Sequence, residues 1–516
     1  LEEILILNKT KSLIVRGGNK NIINSVKLFA KNIGIKVSFN YTNKNPIFFR
    51  KYLNLNILRK LLPNSISALF YYIKQYFNKS LYKSPSRDWF KIQNSMMIFS
   101  YFIHLDLEKS KKGSFYSHQW EILPDLLKLN NIKSNWFHHF LKSDSSKNIE
   151  EGRKLIAKFN KNSYQNHSFI NDFSSLSNML KIFIDFIKIL FKTIDISQIK
   201  TAFRVKDSHV NFWPLLKNDL LSSLRGPTLI QNLIWIYQMD RVFKEMPYQK
   251  LGLYLMENQG WESAMLHAWN KYNHGKIIGI QHSVLRFWDL RYFDDFKSLR
   301  SKSKIRKPKP DLIALNSPFA LKMFLNAGFD KKKIIQLEAL RYLSNSKKKE
   351  KRYFIKKNSN SVLKILIVGD INKDANRSLI QLFQKINLKD FSLSIKFHPG
   401  ALMDLNEFHN LKIKEIKSPL DTIFSDFNIC ISVGSTTAGL NAYISGLKVI
   451  VYLVKGELNL SPLRGFSDVD FVNNLIELKK AILDFKLFKR TSNEKQSYFW
   501  DDKSLYKWKS LLTENY

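Results

Sequence analysis

The chain has 516 residues, enough for two large domains, and its 44% apolar and 14% aromatic content supplies a full core for each. Its 83 Lys and Arg against 43 Asp and Glu leave a formal charge of +40, which invites a nucleic-acid reading. Against that reading, the lysines are dispersed, no zinc-finger or RNP-type signature occurs, and the heavy use of Lys, Asn, Ile and Phe is that of an AT-rich coding sequence. A single cysteine, Cys430, excludes an internal disulfide and a thiolate metal cluster, and no run reaches the roughly eighteen unbroken apolar residues of a membrane-spanning helix.

Residues 3–8 and 12–16 read as two short strands, and the first of them not as a signal peptide. Gly17-Gly18, a helix over 20–31 and a strand over 33–40 complete a Rossmann-like start. Residues 45–95 are helical and aromatic, as in Ile66-Ser-Ala-Leu-Phe-Tyr-Tyr-Ile-Lys-Gln-Tyr-Phe77. A strand over 97–103 ends at His104. His118-Gln119-Trp120 precedes a helix over 121–129, where Pro124 is tolerable only in the first turn. The polar stretch 142–168 is expected as a loop plus a surface helix. The run from Met179 to Lys192 is broken by lysines and an aspartate into an amphipathic helix, either core-facing or lying on a membrane. Phe212-Trp213-Pro214 opens a helix over 215–224, Gly226-Pro227 stops it, and another runs to Lys244.

From residue 250 the pattern is strand, turn, helix, strand, as in a βαβ unit. The strand over 250–256 ends at Glu257-Asn258-Gln259-Gly260-Trp261-Glu262, a helix follows over 263–272, and the strand over 276–281 ends in His282-Ser283. A strand over 311–315, a helix to Ala327 and a strand from 334 lead to Glu338-Ala-Leu-Arg341-Tyr342. The expected domains are 1–343, Rossmann-like with helical insertions on the acceptor side; a basic linker over 344–361; 362–484, Rossmann-like and nucleotide-binding; and 485–516, packing back on the first domain. The fold class is α/β, with two Rossmann-like domains facing a cleft and the first enlarged by helices.

The second domain carries the clearest chemistry. An alternating strand over 391–397 stops at His398-Pro399-Gly400. The strand over 427–433 runs straight into Gly434-Ser435-Thr436-Thr437, then a helix over 438–445. Ligands of open α/β sheets bind where strands end and helices begin, and hydroxyls with free backbone N–H groups there suit phosphate. His398 could donate to the same phosphate, with Pro399 fixing its turn; the plainer alternative is a helix cap and an ordinary turn histidine.

His398-Pro399 followed by Ser435-Thr436 resembles the His-Pro and paired-hydroxyl motifs of bacterial transferases that use CMP-activated sugars, among them sialyltransferases, polysialyltransferases and Kdo transferases. These have the glycosyltransferase B fold, GT-B. Separately, Phe212-Trp-Pro214, Glu257-Asn-Gln-Gly-Trp-Glu262, Gln281-His282-Ser283 and Glu338-Ala-Leu-Arg-Tyr342 look like a family of bacterial surface-carbohydrate biosynthesis proteins. The acidic-acidic-Gly motif that holds the base in several sialyltransferases is not matched, since Phe296 follows Asp294-Asp295. The resemblance implies a metal-independent sugar transferase without a cofactor, whose base lies in the first domain.

Sugar transfer needs a base for the acceptor hydroxyl and stabilisation of the departing phosphate. Glu257 is the first choice of base, directly after a buried strand; a cap or a salt bridge to Arg341 is its structural alternative. Glu262 is second, with neutralisation of the helix's first turn as the alternative, and His282 third. Gly369-Asp370 is a candidate donor loop, with a plain βα turn as the alternative; Arg286 and Arg341 could bind a carboxylate and Glu457 the ribose, but ordinary basic surface residues and a solvated loop glutamate are the preferred readings in so basic a chain. Asp468-Val-Asp470 has metal-nucleotide spacing, but a strand is expected to run through it. The reading is a cytoplasmic glycosyltransferase of surface polysaccharide synthesis, moving a Kdo- or sialic-acid-like sugar from a CMP donor to a glycan or lipid-linked acceptor. Contact with the inner membrane face is left open and no nucleic acid is expected. The rivals are a UDP-sugar transferase or sugar-nucleotide epimerase of the same fold, and a nucleic-acid- or membrane-binding protein.

Overall fold

The computed structural model describes residues 2–16, 20–40, 63–78, 95–287, 289–293, 307–343, 362–386, 391–487 and 498–516. The expected linker and Asp294-Asp295 lie outside these residues.

Fifteen strands form three parallel sheets among the described residues. β1 (Ser12–Arg16) and β2 (Lys36–Asn40) pair alone. Seven strands make the first large sheet: β3 (Met96–Phe102), β4 (Ser134–Phe140), β5 (Gln165–Phe169), β6 (Leu251–Leu255), β7 (Lys276–Ile280), β8 (Leu312–Leu315) and β9 (Ile334–Gln336), in the order β5-β4-β3-β6-β7-β8-β9. Six make the second: β10 (Leu363–Val368), β11 (Phe391–Lys396), β12 (Ile413–Glu415), β13 (Ile429–Val433), β14 (Lys448–Tyr452) and β15 (Asp470–Val472), in the order β12-β11-β10-β13-β14-β15. Each sheet grows outward on one side and then returns to grow on the other. The direction therefore switches between β3 and β6 in the first and between β10 and β13 in the second. Crevices outside the strand ends at such switch points are where doubly wound sheets bind ligands.

The sequence dictates the central strands because both of their faces are covered. Ile-Cys-Ile-Ser-Val in β13, Lys-Val-Ile-Val-Tyr in β14 and Leu-Gly-Leu-Tyr-Leu in β6 are buried at every position, the near-continuous apolar run of a parallel sheet with helices on each side. Gly252 in β6 has a packing reason, since a Cβ there would lie 2.9 Å from the Trp269 ring of the crossover helix Gly260–Lys271. Between β5 and β6 the chain leaves the sheet. The helices Leu176–Lys192, Trp213–Arg225 and Pro227–Glu245 pack with Asn64–Tyr76 into a helical layer around Ala68, Met179, Ile182, Phe186, Ile230 and Leu233.

Three expectations are corrected. Glu2–Leu7 is a short helix, not a strand: Glu2 accepts hydrogen bonds from Ser208 Oγ and, at 2.9 Å, from the His209 N–H, distant groups that hold this end in place. β1 and β2 do not open the large sheet, whose first strand in the chain, β3, starts only at Met96. The polar stretch 142–168 contains, besides the helix Ile149–Phe159, strand β5, which pairs with β4 through polar and histidine-rich sequence.

The last helix, Tyr506–Asn515, belongs to the first domain's core. Glu338, just beyond β9, accepts hydrogen bonds from the N–H groups of Lys507 at 2.8 Å and Trp508 at 3.1 Å, and the Trp508 indole donates to the Glu338 carbonyl at 2.9 Å. Trp508, Leu511 and Leu512 pack in the same cluster as Leu251 and Leu253 of β6. No helix among the described residues is long and apolar enough to cross a membrane.

Candidate active site

In the second domain, the loops after β10, β11 and β13 come together at the switch point. After β10, Asn376 of the helix Lys373–Gln384 holds the Asp370 backbone from both sides: its Oδ1 accepts the Asp370 N–H and its Nδ2 donates to the Asp370 carbonyl, each at 2.8 Å. The Asp370 carboxylate faces the neighbouring loop, 3.6 Å from where a Cβ on Gly434 would stand. Gly434 has φ +58, the left-handed region that favours glycine, and so turns the chain sharply out of β13. Ser435, Thr436 and Thr437 follow at the start of the seven-residue helix Ala438–Ile444. After β11, His398 is exposed, and its Nδ1 accepts the Gly400 N–H at 3.1 Å. The neutral ring therefore carries its proton on Nε2, which is left as a donor toward solvent. Pro399 is exposed beside it, and Gly369 closes β10 against β11 through its N–H to the Lys396 carbonyl at 3.0 Å.

In the first domain, the ends of β3, β6 and β7 supply His104, Glu257 and His282. His282 Nε2 lies 3.2 Å from Glu257 Oε1. The histidine is 8% exposed, whereas the Glu257 side chain keeps 24% of its surface accessible. Contact with His282 is the largest influence holding the Glu257 carboxyl below its usual range; Arg291 helps, and burial opposes. Glu257 is thus ionised near neutrality, and His282 gives it the Nε2 proton. Arg291 itself is held by a two-pronged pair to Asp289, at 2.8 and 2.9 Å. Tyr101 of β3, whose hydroxyl accepts the Trp261 indole N–H at 3.1 Å, stands near enough to Glu257 for burial and that charge to raise its phenol above the usual range. His104 is pushed down by burial and by the positive surroundings of Arg341, His118 and His282.

Glu262 serves the backbone. Its carboxylate accepts the N–H groups of Glu257 and Asn258 at 2.9 Å and of Gln259 at 3.0 Å, tying down the loop that carries Glu257 and capping the helix Gly260–Lys271. Burial pushes its carboxyl up to about 7 in spite of these donors. The salt bridge weighed between Glu257 and Arg341 does not form: Glu257 pairs with His282, and Arg341 is exposed with its guanidinium 6.0 Å from the Tyr342 ring centre. Glu457 lies in an exposed loop after β14. Both carboxylates of Asp468-Val-Asp470 have protein partners, Tyr443 Oη at 3.1 Å and Lys448 Nζ at 2.9 Å.

The two half-sites meet. Arg286, four residues beyond His282, reaches across to Ser435 Oγ at 3.4 Å. Next to it, the Arg464 guanidinium lies 3.6 Å from the centre of the Phe287 ring, and Phe319 packs on Phe466. The strand ends of the two sheets therefore face each other, with carboxylate and imidazole on one side and hydroxyls, Asp370 and His398 on the other. Sequence reasoning set Arg286 aside among many basic residues; its position in a strand-end loop was the available signal. It passed over Tyr101, whose partner Trp261 is 160 residues away, and Asn376, whose contact with Asp370 is local but has no recognisable sequence signature.

No family model matches the chain, and no curated protein matches it. Among solved structures it is similar to the UDP-GlcNAc 2-epimerase of Neisseria meningitidis bound to UDP-GlcNAc, with a TM-score of 0.43 and 12% identity over 81% of this chain and 99% of that one. It is also similar to a glycosyltransferase from Rickettsia africae, with a TM-score of 0.40 and 13% identity over 81% and 98%. For Acinetobacter baumannii MurG the TM-score is 0.37, with 10% identity over 76% and 92%.

Proposed function

We propose that this chain is a nucleotide-sugar-dependent glycosyltransferase whose reaction takes place in the crevice between its two Rossmann-like domains. The observation that carries the proposal is the Arg286–Ser435 contact, which joins an ionised, partly accessible carboxylate on one sheet to a phosphate-competent pair of loops on the other. A binding module has no need of the first, and a simple phosphate site has no need of both.

The roles follow from accessibility and charge. Glu257 accepts the proton of an acceptor hydroxyl, because its free oxygen is reachable while His282 is buried. The freed oxygen attacks the anomeric carbon of the donor, the bond from that carbon to the phosphate oxygen breaks, and its electron pair leaves on the nucleotide. The His398 Nε2–H, Ser435, Thr436, Thr437 and the guanidinium of Arg286 offer donors and charge to that phosphate. Asp370 carries negative charge and suits a donor hydroxyl, not the phosphate.

The donor is proposed to be a CMP-linked acidic ulosonic sugar, a reading supported by His398-Pro399 and Ser435-Thr436 standing on the two loops that flank the one after β10, at the same end of the sheet. The acceptor is proposed to be a surface glycan or its lipid-linked precursor, met at the inner face of the membrane. The helix Leu176–Lys192 supports this last point. It presents Leu180, Ile184 and Phe191 to solvent among Lys181, Lys188 and Lys192, the mix of apolar and cationic groups that suits an anionic lipid surface.

The test is thermal shift with CMP, CDP, UMP, UDP and GDP on the wild type and on His398→Ala. Ligand at 100 times its Kd stabilises the folded state by about 2.7 kcal/mol. Selective stabilisation by CMP, lost in the variant, is expected. Selectivity for UDP overturns the CMP donor, and no response to any nucleotide overturns the transferase reading.

A further inference from the structure

Behind His282 lies a set of polar atoms that the proposed chemistry does not use. Gln119 Oε1, His282 Nδ1 and Asn316 Oδ1 are buried and have no hydrogen-bond partner; their residues are 8%, 8% and 5% exposed. They come from three separate places, the loop after β3 and the ends of β7 and β8, yet all three residues line one cavity of about 20 Å³, with Glu338, Arg341 and Tyr342 also in its wall. That volume is the size of a single water site.

Counting protons shows what the cavity can take. Nε2 carries the proton given to the ionised Glu257, so in neutral His282 the Nδ1 is a lone pair. The chamber would then present three acceptors. With both amide oxygens turned inward, as they stand, one water donates only two hydrogen bonds and leaves one acceptor unsatisfied. With a second proton on His282 the count closes. Nδ1–H donates to the water oxygen, the two water hydrogens go to Gln119 Oε1 and Asn316 Oδ1, and Nε2–H goes to Glu257. A larger ligand does not fit, and the cationic Arg341 in the wall disfavours a metal or ammonium ion.

We propose that this chamber binds one water, and that Gln119 and Asn316 act through it as positioning residues that keep His282 an imidazolium paired with Glu257. The groups around the ring divide. Glu257 favours the cation, whereas His104, which interacts with His282, and Arg341 in the cavity wall oppose it. The carboxylate of Glu338 is committed to the helix at Lys507 and Trp508, and the charge of Arg291 to Asp289. The water-linked carbonyls supply the acceptors through which Nδ1–H, otherwise without a partner, is satisfied. The catalytic benefit, a Glu257 held ionised in one orientation, rests on Glu257 being the base; the water and the charge state do not.

The experiment is nitrogen NMR of the full chain with 15N-labelled histidine, with the His282 signals assigned by their loss in His282→Asn. The expected result is that both ring nitrogens are protonated at pH 7. Gln119→Met, which keeps the length but removes the acceptor, is expected to lower the proton affinity of His282 about tenfold, or one pH unit, and Gln119→Glu to restore it. In transfer assays, Gln119→Met is expected to lower kcat with KM unchanged. A neutral His282 at pH 7 in the wild type overturns the proposal without any variant, as does a crystal structure with no water between the three atoms. If the chain proves inactive while the nitrogen signature and the water are present, the base reading fails and the water site stands.

Discussion

The pairing of β4 and β5 makes a quantitative prediction about acid. His138 and His167 lie side by side on these strands, 0% and 1% exposed, with their rings stacked at an interplanar angle of 3°. His167 Nε2 lies 3.3 Å from Gln165 Oε1, and His138 Nε2 lies 3.0 Å from His167 Nδ1. One arrangement of protons satisfies both contacts: each ring is neutral, His138 donates to His167, and His167 donates to Gln165. Burial pushes both rings down, His138 to about 3 and His167 well below its usual value. The unfolded chain protonates both near pH 6.5, so it binds more protons than the native state throughout the range below that, and stability falls as the pH falls. Between pH 7 and pH 5 each ring costs about 2 kcal/mol, and the pair about 4 kcal/mol. In a domain of about 340 residues, with an unfolding entropy of about 2.1 cal/mol/K per residue, that corresponds to roughly 5–6 °C of melting temperature. The double variant His138→Phe with His167→Phe keeps aromatic rings among Phe102, Phe115, Phe159 and Phe169 but removes the titration. Melting curves of both proteins at pH 7 and pH 5, at constant ionic strength, measure the difference. Parallel pH dependences would refute the reasoning, because all other groups are shared.

Other outcomes follow from single contacts. Glu257→Gln should lower the transfer rate by roughly 10²–10⁴-fold while leaving nucleotide-induced thermal shifts unchanged; a retained rate assigns the base elsewhere. Glu262→Ala strands three backbone N–H groups, and denaturant titration should show a loss of about 2–4 kcal/mol, with a loss under about 1 kcal/mol contradicting the cap. Replacing both Ile184 and Phe191 by Ser should reduce co-sedimentation with anionic vesicles and leave the melting temperature within about 2 °C, since both side chains are exposed; unchanged sedimentation would remove this helix from membrane contact.

By itself the sequence determined the layer architecture and the positions of the strand-end turns. Runs such as Leu363–Val368, Ile429–Val433 and Leu251–Leu255 are apolar at nearly every position, and such runs, alternating with helices and Gly stops, have few stable arrangements other than a covered parallel sheet. Glu257, His282, His398 and the Gly434–Thr437 turn were legible for the same reason, as polar residues placed where strands end. The tertiary structure alone decided which groups those residues meet. Ser-Asn-Trp-Phe-His-His-Phe of β4 and Gln-Asn-His-Ser-Phe of β5 become strands because buried imidazoles and amides satisfy one another across the ladder, His138 with His167 and Asn166 with Asn135, pairings of groups 29 and 31 residues apart that no local pattern encodes. Glu257 and His282 are 25 residues apart, and Arg286 and Ser435 149. Periodicity reports which face of an element is apolar. Which carboxylate meets an imidazole and which meets three amides depends on strand order and on the desolvation that comes with it, and both are properties of the folded chain.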